Sequence, residues 1–389
     1  MTLEPGGAAA GAPGAPRRPG AGVPFLDLQA PYAELRAGID RAVSRVLSSG
    51  RYLLGPEIEA FESEFAGYCG TAYCVAVNSG CDALELALRA LGVGPGDDVL
   101  VPSHTFIATW IAVSAAGARP VPVEPAGGGT LIDAAGVEAA VTPRTRAVVP
   151  VHLYGHPVDL DPLREVAHRH GLHVLEDAAQ AHGARYRGQR VGAAPSVAAF
   201  SFYPGKNLGA MGDGGAVVTA DAELAGRLRM LRNYGSRAKY RHELRSGNSR
   251  LDEVQAAVLR VKLARLDEWN ARRARLAGRY RAGLGGLDWL RLPEAAPWAE
   301  HVWHVYPVRT RHRDALAGHL AEAGVQTLSH YPVPVHLSPA YASAGLPAGS
   351  LPRAERLAAE LLSLPMGPHV TDGQAEAVLD AVRSFRPPE

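Results

Sequence analysis

The chain has 389 residues, 47% of them hydrophobic and 20% charged, with a formal net charge of +1. That length supports a large core and about two domains, and the near-neutral charge excludes the basic footprint that nucleic acid or an anionic membrane surface requires. No apolar run approaches the ~18 residues that span a bilayer, and Cys69, Cys74 and Cys81 are too few and odd in number for a disulfide framework.

Residues 1–22 are mostly Gly, Ala and Pro, with two arginines, and this tail is expected to be disordered. It carries no basic-then-apolar leader pattern, so a cytoplasmic location is expected. Order begins at Val23-Pro24-Phe25-Leu26-Asp27-Leu28. Helical spacing of Leu35, Ile39, Val43, Val46 and Leu47 predicts a helix over Tyr32–Ser48, and Ile58, Phe61 and Phe65 predict another over Glu57–Tyr68. From Ala72 the pattern alternates. Strands are predicted at Tyr73–Val77, Val99–Pro102, Pro120–Val123, Ala147–Val151, His173–Glu176 and Val197–Tyr203. Helices are predicted at Gly80–Leu91, Ile107–Ala116 and Pro162–His170. This alternation implies an α/β domain with a mostly parallel sheet covered on both faces, with ligands at the carboxyl ends of the strands. Leu251–Leu284 reads as one long helix, or two with a break, part of it spanning between domains. The remainder, with a strand at Val302–Val308, reads as a smaller α+β domain. The expected division is a tail at 1–22, a large domain at 23–265 and a small domain at 266–389.

The chain is organised around Ser196–Gly215. Pro204-Gly205 ends an apolar strand, Lys206 stands just past the break, and four glycines follow by Gly215. Of 40 basic residues only Lys206, Lys239 and Lys262 are lysines. Arginine serves wherever positive charge is enough, but only a primary amine forms a covalent imine. Lys206 is therefore a candidate attachment point, against the plain reading of a loop lysine. Asn78-Ser79-Gly80-Cys81-Asp82 opens a helix, where free N–H groups suit a phosphate or simply carry an N-cap. Asp177 ends a parallel strand, where it can hold a proton on a ring nitrogen or cap a helix. Phe106 can stack on a flat ring or pack in the core. One ligand uses each of these four features once: pyridoxal 5′-phosphate (PLP), with its aldehyde on Lys206 and its ring nitrogen on Asp177. No metal site is expected at Cys69 and Cys74 or at His168, His170 and His173.

The sequence also resembles the DegT/DnrJ/StrS family of PLP-dependent sugar aminotransferases, of the aspartate aminotransferase type (fold type I). The likeness runs from about Val23 to the end. It is carried by Phe25-Leu26-Asp27-Leu28, Gly55-Pro56-Glu57, Ser79-Gly80-Cys81-Asp82-Ala83-Leu84, Pro102-Ser103-His104-Thr105-Phe106, Glu176-Asp177-Ala178-Ala179-Gln180-Ala181-His182-Gly183, Phe200-Ser201-Phe202 with Pro204-Gly205-Lys206, and Gly247-Asn248-Ser249-Arg250-Leu251. The resemblance implies that Gly80 and Cys81 bind the cofactor phosphate through backbone N–H groups and Ser201 through its hydroxyl. The family usually has Thr where Cys81 stands. It further implies that Phe106 stacks on the ring, that Gln180 lies near the ring face or its phenolic oxygen, and that Asn248 reaches the phosphate bound in the neighbouring subunit of a homodimer with shared sites. Lysine at 206, where some members carry histidine, favours transamination. Thr105–Trp110 and His330–His336 look most like members acting on dTDP-linked 3-keto-6-deoxyhexoses with L-glutamate as donor. On that reading Arg250, Tyr331 and His336 are the candidate substrate contacts. Tyr331 and His336 have a plain alternative as parts of a Pro-rich structural loop, and the arginines of 237–250 other than Arg250 have one as a surface loop exposed to solvent. Transamination at C4 or of a cyclitol ketone, and a regulator that binds without turnover, are the other functions weighed.

Overall fold

The computed structural model describes residues 22–388; the tail expected at 1–22 lies, apart from Gly22, outside the described residues. Seven strands form the main sheet. From edge to edge they are Tyr73–Val77, Gly215–Thr219, Val197–Ser201, His173–Asp177, Thr145–Val148, Asp98–Pro102 and Arg119–Val123. The last five pair in parallel, and Gly215–Thr219 runs antiparallel to both its neighbours. The chain is therefore α/β with a mostly parallel sheet.

The position of each edge follows from local chemistry. Arg119–Val123 contains Pro120 and Pro122, which have no N–H to give a second neighbour, so the strand can only be an edge. Gly215–Thr219 has no counterpart among the expected elements. Its approach, 202–214, carries no helix, and without a crossover helix the pairing open to it is antiparallel.

Both faces of the sheet are buried, with the period of two that a strand imposes. Val75 and Val77 pack with Leu84, Leu88 and Leu228 on one face. Cys74 and Ala76 pack with Phe61, Phe65 and Leu259 on the other. The Phe65 ring lies 5.0 Å from Phe200 and 5.3 Å from Phe202, both edge-on. Helix Pro56–Cys69 thus clamps the strand that leads to Lys206.

The predicted run Leu251–Leu284 divides into helices Glu253–Leu263 and Leu266–Leu284. A separate apolar cluster gathers Val23, Tyr280, Leu284, Tyr306, Leu316, Leu362 and Val378. The strand expected at Val302–Val308 is shorter and later, Tyr306–Arg309, and pairs antiparallel with Leu361–Leu364. The reason is Trp303, whose φ of 49° cannot be part of an extended strand. No helix among the described residues is long and apolar enough to cross a membrane.

Phe65 is fully buried among three phenylalanine rings. Phe65→Ala is expected to destabilise the fold by about 3–5 kcal/mol, the usual result of emptying a packed aromatic site. Denaturant unfolding checks this, and an unchanged midpoint would show that the aromatic clamp contributes little.

Candidate active site

Asp177 is the last residue of its strand and is buried. Its Oδ2 accepts a hydrogen bond from the Thr109 hydroxyl at 2.9 Å, and its Oδ1 one from the Ala179 N–H at 3.1 Å. Burial pushes this carboxyl above its ordinary range, while those two bonds and the charge on Lys206 act against the push. Lys206 is fixed by the turn after Pro204-Gly205, its N–H donating to the Tyr203 carbonyl at 2.9 Å. Burial pushes the Lys206 ammonium down to about 8, with the Asp177 carboxylate opposing. Amine and carboxylate therefore lie close enough for each to bear on the other's charge.

The start of helix Gly80–Ala90 lies beside Asp177, whose charge bears on Cys81. The Ser79 hydroxyl accepts from the Asp82 N–H at 3.1 Å and caps helix Gly80–Ala90. The first-turn N–H groups of Gly80 and Cys81 have no partner within the helix. A Cβ on Gly80 would stand 2.5 Å from the Ser201 Cβ, so only glycine lets this helix start meet that strand end. The Cys81 Sγ lies 3.8 Å from the Ala108 carbonyl, and burial pushes its thiol up to about 11, aided by nearby carboxylates including Asp177.

One wall of the region is aromatic. Phe106 is 50% exposed, and its ring centre lies 5.3 Å from that of Tyr331, tilted by 42°. Gln180 ties this wall down. Its Oε1 accepts from the Tyr154 N–H at 2.6 Å, and its Nε2 donates to the Tyr331 hydroxyl at 2.9 Å. The Tyr154 hydroxyl meets His104 Nε2 at 2.8 Å and donates to the His330 carbonyl. The Asp177 charge adds to the upward push of burial on the Tyr331 phenol.

The structure thus brings Lys206, Asp177, Gly80, Cys81, Ser201, Phe106, Gln180 and Tyr331 into one region. His336 is buried, with Nε2 on Glu355 at 3.1 Å. Asn248 is exposed and donates to the Tyr234 hydroxyl at 2.7 Å. Arg250 lies over the Tyr234 ring and donates to Asn233 at 3.1 Å. Between them Ser249 donates to Asp82 at 2.6 Å and accepts from the Asn78 N–H at 3.2 Å. The 247–251 segment is thereby anchored on the same helix start.

Several neighbours escaped the reading of the sequence. Thr109 was visible as a polar residue one turn beyond Thr105. His182 was visible only as a histidine five residues past Asp177. His304 had no local signal, and His330 appeared only as the first residue of the His330–His336 run, without a role at the amine. Burial and the Lys206 charge push His182 down to about 3 and His330 down to about 4, and His304 well below its ordinary value. Lys206 is therefore surrounded by neutral imidazoles. Chemically, the region can take an anion at the helix start and a flat ring beside Phe106. A carboxylate stands ready for a ring cation, and an amine near neutrality is available for proton transfer.

The sequence profile of the DegT/DnrJ/EryC1/StrS aminotransferase family matches residues 34–383. A dTDP-3-amino-3,4,6-trideoxy-alpha-D-glucose transaminase of Streptomyces venezuelae is 66% identical over 363 residues, which cover 93% of this chain and 96% of that protein. The crystal structure of S. venezuelae DesV in complex with a ketimine intermediate superposes with a TM-score of 0.93 at 66% identity, over 94% of this chain and 98% of that one. Bacillus subtilis NtdA with bound cofactor PMP superposes with a TM-score of 0.87 at 32% identity, over 94% of this chain and 85% of that one.

In cofactor-free protein, labelling of Lys206 by an amine-reactive reagent should titrate with an apparent pKa near the expected 8. Asp177→Asn removes a negative charge that favours the ammonium, so the midpoint should move to lower pH. Peptide-resolved labelling across pH reads both values. A midpoint near the ordinary lysine value in both proteins would mean that the amine is solvated and distant from Asp177.

Proposed function

The chain belongs to the DegT/DnrJ/EryC1/StrS aminotransferase family, and from that premise we propose that it is a PLP-dependent enzyme that moves an amino group from L-glutamate to C3 of a dTDP-linked 3-keto-6-deoxyhexose. The observation that carries this reading is the Lys206 amine within reach of the Asp177 charge at the carboxyl ends of the parallel strands. The substrate class is supported by the S. venezuelae relative, whose name gives a dTDP-3-amino sugar. The cofactor is supported by the PMP in B. subtilis NtdA.

The residues present fit PLP. The Gly80 position, where a Cβ would strike Ser201 at 2.5 Å, lets two helix N–H groups and the Ser201 hydroxyl share one anion. Cys81 contributes its N–H, since its thiol points to the Ala108 carbonyl. Half-exposed Phe106 offers a ring face, and Gln180, fixed by Tyr154, orients Tyr331 at the same wall.

When bound, PLP supplies a ring that draws electrons from the carbon bearing the amino group. The chain's own residues do the rest. Asp177, held by Thr109 and the Ala179 N–H, keeps a proton on the ring nitrogen. Lys206 would hold the aldehyde, and its amine would move a proton between the carbons of the amino group's donor and acceptor, a role suited to a pKa of about 8. The neutral histidines His182, His304 and His330 add no cation that would push the Lys206 ammonium down further. Exposed Asn248 supports a homodimer in which this residue reaches the phosphate in the partner subunit, and Arg250 and His336 stand as candidate substrate contacts. A small domain at 266–389 beside a large one at 23–265 is part of the proposal, supported by the apolar cluster around Tyr280 and Val378, which Val23 joins from the large one. A cytoplasmic location is part of the same proposal.

The test is incubation of the PLP-loaded enzyme with L-glutamate and a panel of dTDP-3-keto and dTDP-4-keto sugars, with products identified by NMR. A 3-amino sugar is expected; exclusive amination at C4 would overturn the regiochemistry. Lys206→Ala should lower turnover by at least the ~10²–10⁴-fold that positioned proton transfer contributes. Stopped-assay product counting checks this, and near-normal turnover would sink the assignment of Lys206.

A further inference from the structure

Two of the three lysines in this arginine-rich chain line one cavity of about 180 Å³. Its walls are the Phe25–Leu28 stretch, the turn from Pro204 to Asn207, helix Leu266–Leu284 and the loop before Thr371. Of the residues gathered at the strand ends only Lys206 reaches it; Asp177, Phe106, Gln180, Ser201 and Gly80 do not. It is thus a second compartment behind the attachment turn.

The charge in this cavity does not balance. Its ionisable lining is Asp27, Lys206, Lys262, Arg273 and His369. Lys262 is 6% exposed and Arg273 3%. Lys262 Nζ donates to the Gly209 carbonyl at 2.7 Å, and nothing else among the described residues accepts from it. One terminal nitrogen of Arg273 serves the carbonyls of Trp303, His304 and Met366, each at 3.2 Å, and its Nε has no partner among the described residues. No carboxylate charge bears on either cation. The acid in the lining, Asp27, is exposed and turns Oδ1 to the N–H groups of Gln29 and Ala30. His369 is bonded to Glu34.

Two buried cations without a counter-charge are strongly unfavourable. At 262 the chain also uses a compact ammonium with three rotatable donors, in a protein that otherwise uses arginine. One donor is used and two remain. We propose that this cavity binds a small oxyanion, carboxylate or phosphate, between Lys262 and Arg273. The bound anion neutralises the pair and, because Lys206 lines the same cavity, favours the Lys206 ammonium when present. Occupancy of the second compartment thereby adjusts the amine of the first. A carboxylate would come from the amino donor or its keto acid, and a phosphate from free phosphate. The proposal does not depend on which sugar is aminated.

The test uses PLP-loaded enzyme, so that the anion site at Gly80 and Ser201 is already filled. Thermal unfolding is followed while inorganic phosphate or glutarate is titrated at constant ionic strength. We expect a saturable rise in midpoint of about 2–4 °C with at least one of the two, and at least a ~10-fold weaker response in Lys262→Met. Phosphate alone acting identifies free phosphate as the source; glutarate alone acting identifies the donor's carboxylate. No saturable rise with either anion, or an equal rise in Lys262→Met, overturns the proposal. Should Lys262→Met fail to fold, crystals of the loaded wild-type enzyme soaked in selenate decide. An anomalous peak between Lys262 and Arg273 supports the site, and none there rejects it.

Discussion

An ammonium and a carboxylate share one buried region in this protein, and neither is tolerable there alone. Burial lowers the affinity of Lys206 for its proton and raises that of Asp177, and each charge partly restores the other. The result is an amine that gives and takes a proton near neutral pH, beside a carboxylate held ready for a cation. Everything else in the large sheet keeps these two groups in place. The parallel strand ends at Asp177, its neighbour ends at Ser201, and the turn three residues later presents Lys206.

This arrangement constrains the sequence at a distance. The aromatic clamp of Phe61, Phe65, Phe200 and Phe202 lies under the strand that carries Ser201, so a packing change there is felt at the amine. Gln180 couples the aromatic wall to the backbone of Tyr154, a residue held at φ 63°, where few side chains are comfortable. His104 and His330 then fix the Tyr154 hydroxyl. The wall is therefore a network with its donors and acceptors assigned, which is what orientation of a flat ligand requires.

Much of this was legible in the sequence for a physical reason. Strands buried on both faces are short apolar runs between turn residues, and residues at their carboxyl ends are chemically out of character with the runs. That contrast made Asp177 and Lys206 stand out, and it made Gly80 readable as a helix start. The scarcity of lysine sharpened the reading of Lys206. What stayed hidden depends on contacts between distant segments. The strand Gly215–Thr219 reads as the tail of a glycine turn. His304 and His330 reach Lys206 from the far end of the chain. Trp303 shortens a strand through a backbone angle that no local pattern announces. His336 lies five positions after Tyr331 in the chain, yet it turns to Glu355.

The central claim concerns which amine carries the cofactor. Borohydride reduction of the PLP-loaded enzyme locks the amine–aldehyde link, and digestion followed by mass spectrometry locates it. With only three lysines in the chain the outcome is unambiguous. The account predicts the pyridoxyl mass on the peptide containing Lys206. A label on Lys239 or Lys262, or none on any lysine, would contradict it.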